Sequence, residues 1–282
     1  MCAAKAIYPS LKDRVVLITG GGRGLGREMA LALIEAGARV AITGARAPSE
    51  LTEVEQEARR IADTGRLITL RADVRSYEDC VNVTNNVIKT FGGIHALVNN
   101  AGRGLLLISE NYVERAPKFW EVSVGGWREI AETNFIGPFN MARAVTPHLV
   151  KQGFGRIVNI STSAVTMTRK GYSPYGPSKA GLEAMSAIWA KDLDGTGVTV
   201  NVLLPGGATD TKLLPEMQNK RGSDGQLLDP KLMRAPILWL CADNSNGHTG
   251  ERYIAKLWKT SLKPDKAAAA ARQPKHELPT VM

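Results

Sequence analysis

Tyr175 and Lys179 have the residue types and spacing that permit acid–base chemistry. A helix brings positions i and i+4 to one face, so a phenol and an ammonium would project side by side from "SPYGPSK" (173–179). The local sequence can start such a helix. Ser173 suits an N-cap, Pro174 the first helical position, and Pro177 the first turn, where its missing N–H leaves few bonds unmade. Tyr172 has no equivalent partner, because Gly176 stands four residues on. A free phenol has a pKa of about 10, so roughly one in a thousand is ionised at pH 7. Bringing that pKa near 7 takes about 4 kcal/mol of preference for phenolate. A nearby ammonium supplies part of this and a cationic nicotinamide would supply more. An exposed Tyr and Lys on a helix surface share the same spacing, so the pair alone does not establish chemistry.

A second constellation is "TGGGRGLGRE" (19–28). Gly20, Gly24, Leu25 and Gly26 lie between an expected strand and an expected helix. That is the context in which a glycine loop turns tightly, approaches a phosphate and aims a helix N-terminus at it. An NAD site usually places an acidic side chain after the second strand, on the ribose hydroxyls. Here "VAITGAR" ends in Gly44, Ala45 and Arg46, and no carboxylate stands from 40 to 49. Arg23 in the glycine loop and Arg46 beyond the strand can bind a 2′-phosphate bidentately. NADP (NADPH) is therefore favoured over NAD.

The elements that must hold these residues alternate. Strands are expected at 14–20, 38–43, 66–73, 95–102, 155–161, 198–207 and 251–255. Helices are expected at 27–37, 50–65, 77–92, 127–152, from Tyr175 to about 194, and at 236–243. This order argues for an α/β fold, a doubly wound parallel sheet (Rossmann fold) of about seven strands covered on both faces. One oxidoreductase domain is expected over 1–262, with a substrate loop at about 206–236. Residues 263–282, with five consecutive alanines and three prolines, read as a C-terminal tail with little to bury.

Composition narrows the rest. The chain has 282 residues, 44 % of them apolar, and a formal charge of +9. Lys and Arg are dispersed with no basic run of five, so a phosphate-rich cofactor is an adequate anionic partner and no nucleic acid is expected. No apolar run approaches a membrane span and no signal-peptide core opens the chain. Three distant cysteines and four scattered histidines match neither a disulfide framework nor a metal site. A cytoplasmic location is the expectation.

The set "TGGGRGLG", "NNAG", the Asn of "ETNFIG" and "YGPSK", in that order, resembles the short-chain dehydrogenase/reductase (SDR) family, in its T-G-x-x-x-G-x-G / Y-x-x-x-K branch. The resemblance covers residues 12 to about 258. It implies interconversion of a secondary alcohol and a carbonyl by hydride transfer, with Tyr175 as general acid/base. Lys179 would bind the nicotinamide ribose and lower the phenol pKa, and Asn134 would hold a water linking Lys179 to solvent. Asp73 and Val74 would meet the adenine. Asn100, Ala101 and Gly102 would line the cofactor, and Pro205 and Gly206 would pass beside the nicotinamide. Thr209 or Thr211 would meet the carboxamide, since the family's usual threonine falls on Asp210. The family's substrate-holding serine lies thirteen residues before the tyrosine, a position held here by Thr162, with Ser163 as the alternative. The segment from Gly102 to Asn134 is longer than the resemblance implies. Phe119 and Trp120 in it would edge the substrate pocket or decorate the surface. The partners implied are a small-molecule carbonyl or alcohol and further copies of the chain. The resemblance implies a homo-oligomer, dimer or tetramer, built on the helices carrying Asn134 and Tyr175. "GLEAMSAIWAKDL" (181–193) is apolar enough to fit that.

Overall fold

Each short apolar run becomes a strand, and the carboxyl ends of the first six turn into loops of one crevice. The computed structural model describes residues 3–62, 65–215 and 225–274. The strands are β1 (Val15–Ile18), β2 (Arg39–Gly44), β3 (Leu67–Arg71), β4 (Ala96–Asn99), β5 (Gly155–Ile160), β6 (Val198–Leu204) and β7 (Glu251–Ile254). They form one parallel sheet in the order β3-β2-β1-β4-β5-β6-β7. The chain winds outward to β3, then returns to lay β4 on the other edge of β1. That reversal opens a crevice at the carboxyl ends of β1 and β4.

The helices are α1 (Ala3–Ile7), α2 (Gly24–Glu35), α3 (Pro48–Ile61), α4 (Tyr77–Phe91), α5 (Val124–Ala131), α6 (Gly137–Lys151), α7 (Ala164–Met167), α8 (Tyr175–Asp192), α9 (Arg234–Cys241) and α10 (Pro264–Ala271). Side-chain alternation divides the strands between two cores. Val16 and Ile18 of β1 face one core with α2, α9 and α10, while Val15 and Leu17 face the other with α4 and α6. Burying each such side chain contributes roughly 1.5–3 kcal/mol. In α4, Cys80, Val83, Thr84 and Val87 form the buried stripe. Ser76 caps that helix by accepting from Asp79 N at 3.1 Å, and Gly92 ends it at φ 84°.

Four sequence expectations need correction. The stretch 127–152 is not one helix: α5 and α6 are joined by a π-helical segment, Glu132–Ile136, that contains Asn134. Ser173 does not cap α8. Pro174 occupies the cap position with helical angles, and the Ser173 hydroxyl instead accepts from Trp127 Nε1 at 3.3 Å. The loop after β6 does not run to 236, because a 3₁₀ turn at Pro230–Met233 leads directly into α9; residues 216–224 lie outside the described residues.

The fourth correction concerns the alanines. They belong to the core rather than to a tail: Ala267, Ala268 and Ala271 are at most 2 % exposed. Trp239 Nε1 donates to Asp265 Oδ1 at 2.7 Å, and Gln273 N donates to Arg252 O at 2.8 Å beside an antiparallel bridge from Tyr253 to Arg272. Low side-chain bulk reads as little to bury, yet small residues let α10 lie close against α9. Residues 275–282 lie outside the described residues. Among those described, no helix is long and apolar enough to cross a membrane.

Candidate active site

The glycine loop folds back on itself so closely that side chains are excluded. Gly20 has φ +65°, and a Cβ there would lie 2.9 Å from Ala101 Cα. A Cβ at Gly26 would lie 2.3 Å from Gly20 O. Gly26 therefore permits the turn without lining the crevice, whereas Gly20, Arg23, Gly24 and Leu25 line it. The loop is joined to the "NNAG" turn by side-chain bonds. Asn100 Nδ2 donates to Thr19 O and Gly20 O, both at 2.9 Å. Thr19 Oγ1 accepts from Asn100 N and Ala101 N, both at 3.0 Å. Above this loop α2 begins at Gly24, so its unpaired N–H groups face the same crevice.

The crevice is a cavity of about 740 Å³, within the range of small-molecule and cofactor sites. Arg46, Asp73, Val74, Asn100, Ala101, Gly102, Pro205, Gly206, Thr209 and Thr211 all line it. Thr211 lies against the glycine loop, 3.0 Å from where a Cβ of Gly24 would be. Thr209 is buried and pairs with Leu228, while Asp210 between them is exposed.

Tyr175, Lys179, Thr162 and Ser163 line the inner end. Their positions follow from α8 and from the end of β5. A Cβ on Gly176 would lie 2.1 Å from Met167 O, so only glycine lets the first turn of α8 seat against α7. Lys179 is buried, and its Nζ donates to Ile160 O at 2.8 Å. Burial pushes the Lys179 ammonium down to about 8, opposed by Glu183. Burial raises the Tyr175 phenol to about 12; neighbouring Tyr172 adds to this, and a hydrogen bond with the Thr162 side chain opposes it. The expected lowering of the phenol is thus not produced by the chain's own groups. Desolvation outweighs whatever the lysine offers.

The two candidate hydroxyls differ in what they touch. Thr162 meets Tyr175 through its side chain, and its carbonyl accepts from Arg252 Nη2 at 2.9 Å. Ser163 caps α7: its Oγ accepts from Thr166 N at 3.2 Å and lies 2.9 Å from Thr166 Oγ1. Asn134 is fully buried and does not line the cavity. Its Oδ1 accepts from Arg103 N at 2.7 Å and its Nδ2 donates to Arg103 O at 3.0 Å. A Cβ at Gly102 would lie 3.3 Å from Asn134 Oδ1 and 4.0 Å from Lys179 Nζ, so the three converge.

Several lining residues escape the sequence reading. Tyr172 stands edge-on to Tyr175 at 6.4 Å, and Tyr112 edge-on to Tyr172 at 6.0 Å. Phe119 and Trp120 lie on the surface instead, 68 % and 67 % exposed. Arg103, directly after "NNAG", lines the cavity, as do Glu50 and Lys212. Arg23 Nη1 and Lys212 Nζ share Glu50 Oε1 at 3.2 and 3.1 Å. Arg46 Nη2 and Arg103 Nε share Glu129 Oε1, the latter at 3.3 Å. Proximity to "NNAG" was a signal for Arg103. Glu50 stands one residue past the acid-free stretch 40–49, and nothing local marks Tyr112.

Comparison with known proteins agrees with this geometry. The short chain dehydrogenase family matches residues 14–222. The chain is 31 % identical over 255 residues to a probable galactose dehydrogenase of Rhizobium meliloti, covering 88 % of this chain and 95 % of that one. It is 30 % identical over 249 residues to a 3-oxoacyl-[acyl-carrier-protein] reductase of Thermotoga maritima, covering 86 % and 95 %. The structure of a 3-ketoacyl-(acyl-carrier-protein) reductase from Brucella melitensis, complexed with NADH, superposes with a TM-score of 0.74 at 26 % identity, covering 86 % and 96 %. With its seven-stranded parallel sheet, glycine cradle and Tyr–Lys helix, the chain belongs to the short-chain dehydrogenase/reductase family of oxidoreductases, which use an NAD(P) nucleotide.

Proposed function

We propose that the protein interconverts a secondary alcohol and a carbonyl with NADP(H), Tyr175 giving or taking the proton of the substrate oxygen. The observation that carries this reading is the meeting of Tyr175, Thr162 and Lys179 at the inner end of a cavity whose outer end is a glycine cradle flanked by arginines. A bound nicotinamide dinucleotide supplies or accepts the hydride, and its oxidised ring supplies the positive charge that the phenol lacks here. Gly20, Gly24 and the start of α2 would hold the pyrophosphate. Asp73 and Val74 would meet the adenine, and Asn100, Ala101, Gly102, Pro205 and Gly206 the riboses and the nicotinamide. Lys179 would hold the nicotinamide ribose, and Thr162 the substrate oxygen beside Tyr175. Asn134 would hold a water beside Lys179, with its side chain fixed by one bond at Oδ1 and one at Nδ2 to the Arg103 backbone, in a segment of π geometry. Leu105, Val165, Tyr112, Tyr172 and Leu213 line the cavity as well, which suits a carbonyl carrying an apolar or aromatic group.

The preference for NADP rests on Arg23 and Arg46. Glu50 faces the same end, but two cations already claim it, so it presents a neutralised carboxylate to a ribose. Initial rates across ketones, quinones and imines, followed by loss of nucleotide absorbance, test the reading. NADPH should exceed NADH in kcat/KM, and the Arg23→Ala/Arg46→Ala double variant should lower that ratio. An unchanged ratio would refute the cofactor choice.

A homo-oligomer fits the exposed apolar side chains of the same helices. Ile136, Phe139 and Ile188 are 41 %, 47 % and 56 % exposed, while Trp189 packs on the core. Light scattering that returned a monomer would contradict it.

A further inference from the structure

The adenosine end of the cavity carries more cations than the two arginines used above. Arg23, Arg46, Arg103 and Lys212 all line it. Together they meet two carboxylates, because Glu50 and Glu129 are each shared through a single oxygen. Asp73 is already engaged by Arg75, Nη2 to Oδ2 at 2.6 Å. Four cations on two carboxylates leave an excess of two positive charges. A phosphate monoester carries about −1.5 to −2 at pH 7, so the excess matches one such group.

Arg103 is the member of this set built for precision. Its side chain is 18 % exposed, against 51 % for Arg46 and 64 % for Lys212. Its backbone is bonded at both N and O to the Asn134 side chain. Among the described residues its side chain has one ion-pair partner, Glu129, and meets it through Nε. A guanidinium has five donors in a planar fork, so most of that fork remains for the cavity. Burial and the nearby Arg46 and Arg23 disfavour its charge, which is the strain an incoming dianion relieves.

We infer that Arg103, paired with Arg46 across Glu129, is a specificity-determining residue that reads the cofactor's 2′-phosphate, with the Glu129 carboxylate holding the two guanidinium groups until the phosphate takes its place. This rests on the NADP reading of the same cavity and adds to it a residue from the other side of the crevice, beyond β4 rather than beyond β2. Glu129 keeps the fork from collapsing and also competes with the ligand it prepares for.

Binding of two nucleotide fragments, 2′,5′-ADP and 5′-AMP, tests this by calorimetry without any turnover. The wild-type protein should bind 2′,5′-ADP more tightly. A ratio near one would overturn the NADP reading and this inference with it. Arg103→Met should weaken 2′,5′-ADP by roughly 10- to 100-fold, the range for charge-assisted hydrogen bonds, with 5′-AMP little changed. If Arg46→Met lowers the ratio and Arg103→Met does not, the NADP reading stands and the inference fails. An equal loss of both fragments in Arg103→Met also overturns it, since that is the effect of a merely structural residue. Should Arg103→Met not fold, Glu129→Gln decides. Removal of the competing charge should raise the ratio, and an unchanged or lower ratio would sink the proposal.

Discussion

The two ends of the cavity are built by different means. The cofactor end is made by backbone: Gly20, Gly26 and the "NNAG" turn approach so closely that added side chains would collide, and Thr19 and Asn100 join them. The other end, where we propose that substrate binds, is made by side chains from segments distant in sequence. Tyr112, Tyr172 and Tyr175 form a series of T-shaped, edge-to-face ring contacts, and Leu105 and Leu213 line the same cavity. A backbone-built site binds what many related proteins bind, whereas a side-chain-built site can change with single residues. The relatives illustrate this, since a probable galactose dehydrogenase and a 3-oxoacyl-[acyl-carrier-protein] reductase match the same chain at nearly equal identity.

Tyr175 sits where the two ends meet, so its removal should have the largest effect. Tyr175→Phe should lower kcat by about 10²–10⁴, the usual worth of a positioned acid–base group, with NADPH affinity within a few-fold of wild type by fluorescence titration. A normal kcat would break the comparison, because the junction would then not be the reacting centre. Next in size is the hydroxyl. Thr162→Val should cost about 2–4 kcal/mol of transition-state stabilisation, by analogy with loss of one oxyanion donor. Ser163→Ala removes a helix cap worth about 1 kcal/mol and should cost less in kcat/KM. The reverse order would mean that the Ser163 hydroxyl leaves Thr166 N for the substrate.

A pH profile sharpens the same junction. Burial depresses Lys179 from 10.5 to about 8. Its ammonium is therefore intact below pH 8 and lost as pH rises through that value. Because kcat/KM for NADPH reports ionisations of the free enzyme, it should fall above a pKa near 8, and this limb should be absent in Lys179→Arg. A flat profile to pH 10 would show that the ammonium does not serve the nucleotide. The smallest effect belongs to the surface: Phe119→Ala and Trp120→Ala should leave kcat/KM within about twofold, as expected for exposed positions. A tenfold loss in either would put the insertion over the cavity mouth.

The same division governs what could be read from sequence. The strand–glycine–helix order, the 175/179 spacing and the arginine after β2 are local patterns, and each lies where local rules expect it. The count of thirteen residues back from Tyr175 reaches Thr162, just past the end of β5 at Ile160, and its side chain bonds Tyr175. What escaped was long-range. Tyr112 reaches the cavity through a segment with no periodicity, and Glu129 meets Arg46 across the crevice, 83 positions on. The alanines of α10 carry no hydrophobic bulk, so their close packing on α9 has no signature in composition. The phenol went astray in another way. A neighbouring lysine argued for a lowered pKa, but Lys179 is buried and Tyr175 partly so, and loss of water raises the phenol and lowers the ammonium.

The proposed reaction is direct reduction of a carbonyl carbon by NADPH in this cavity. It is tested by the mass of the alcohol formed from a panel of aryl and alkyl ketones with NADPH in which both hydrogens at nicotinamide C4 are deuterium. At least one ketone should yield an alcohol carrying one deuterium on its carbinol carbon, formed at least about 10²-fold more slowly when Tyr175 is replaced by Phe. No alcohol from any ketone, or alcohol without carbon-bound deuterium, would contradict the account.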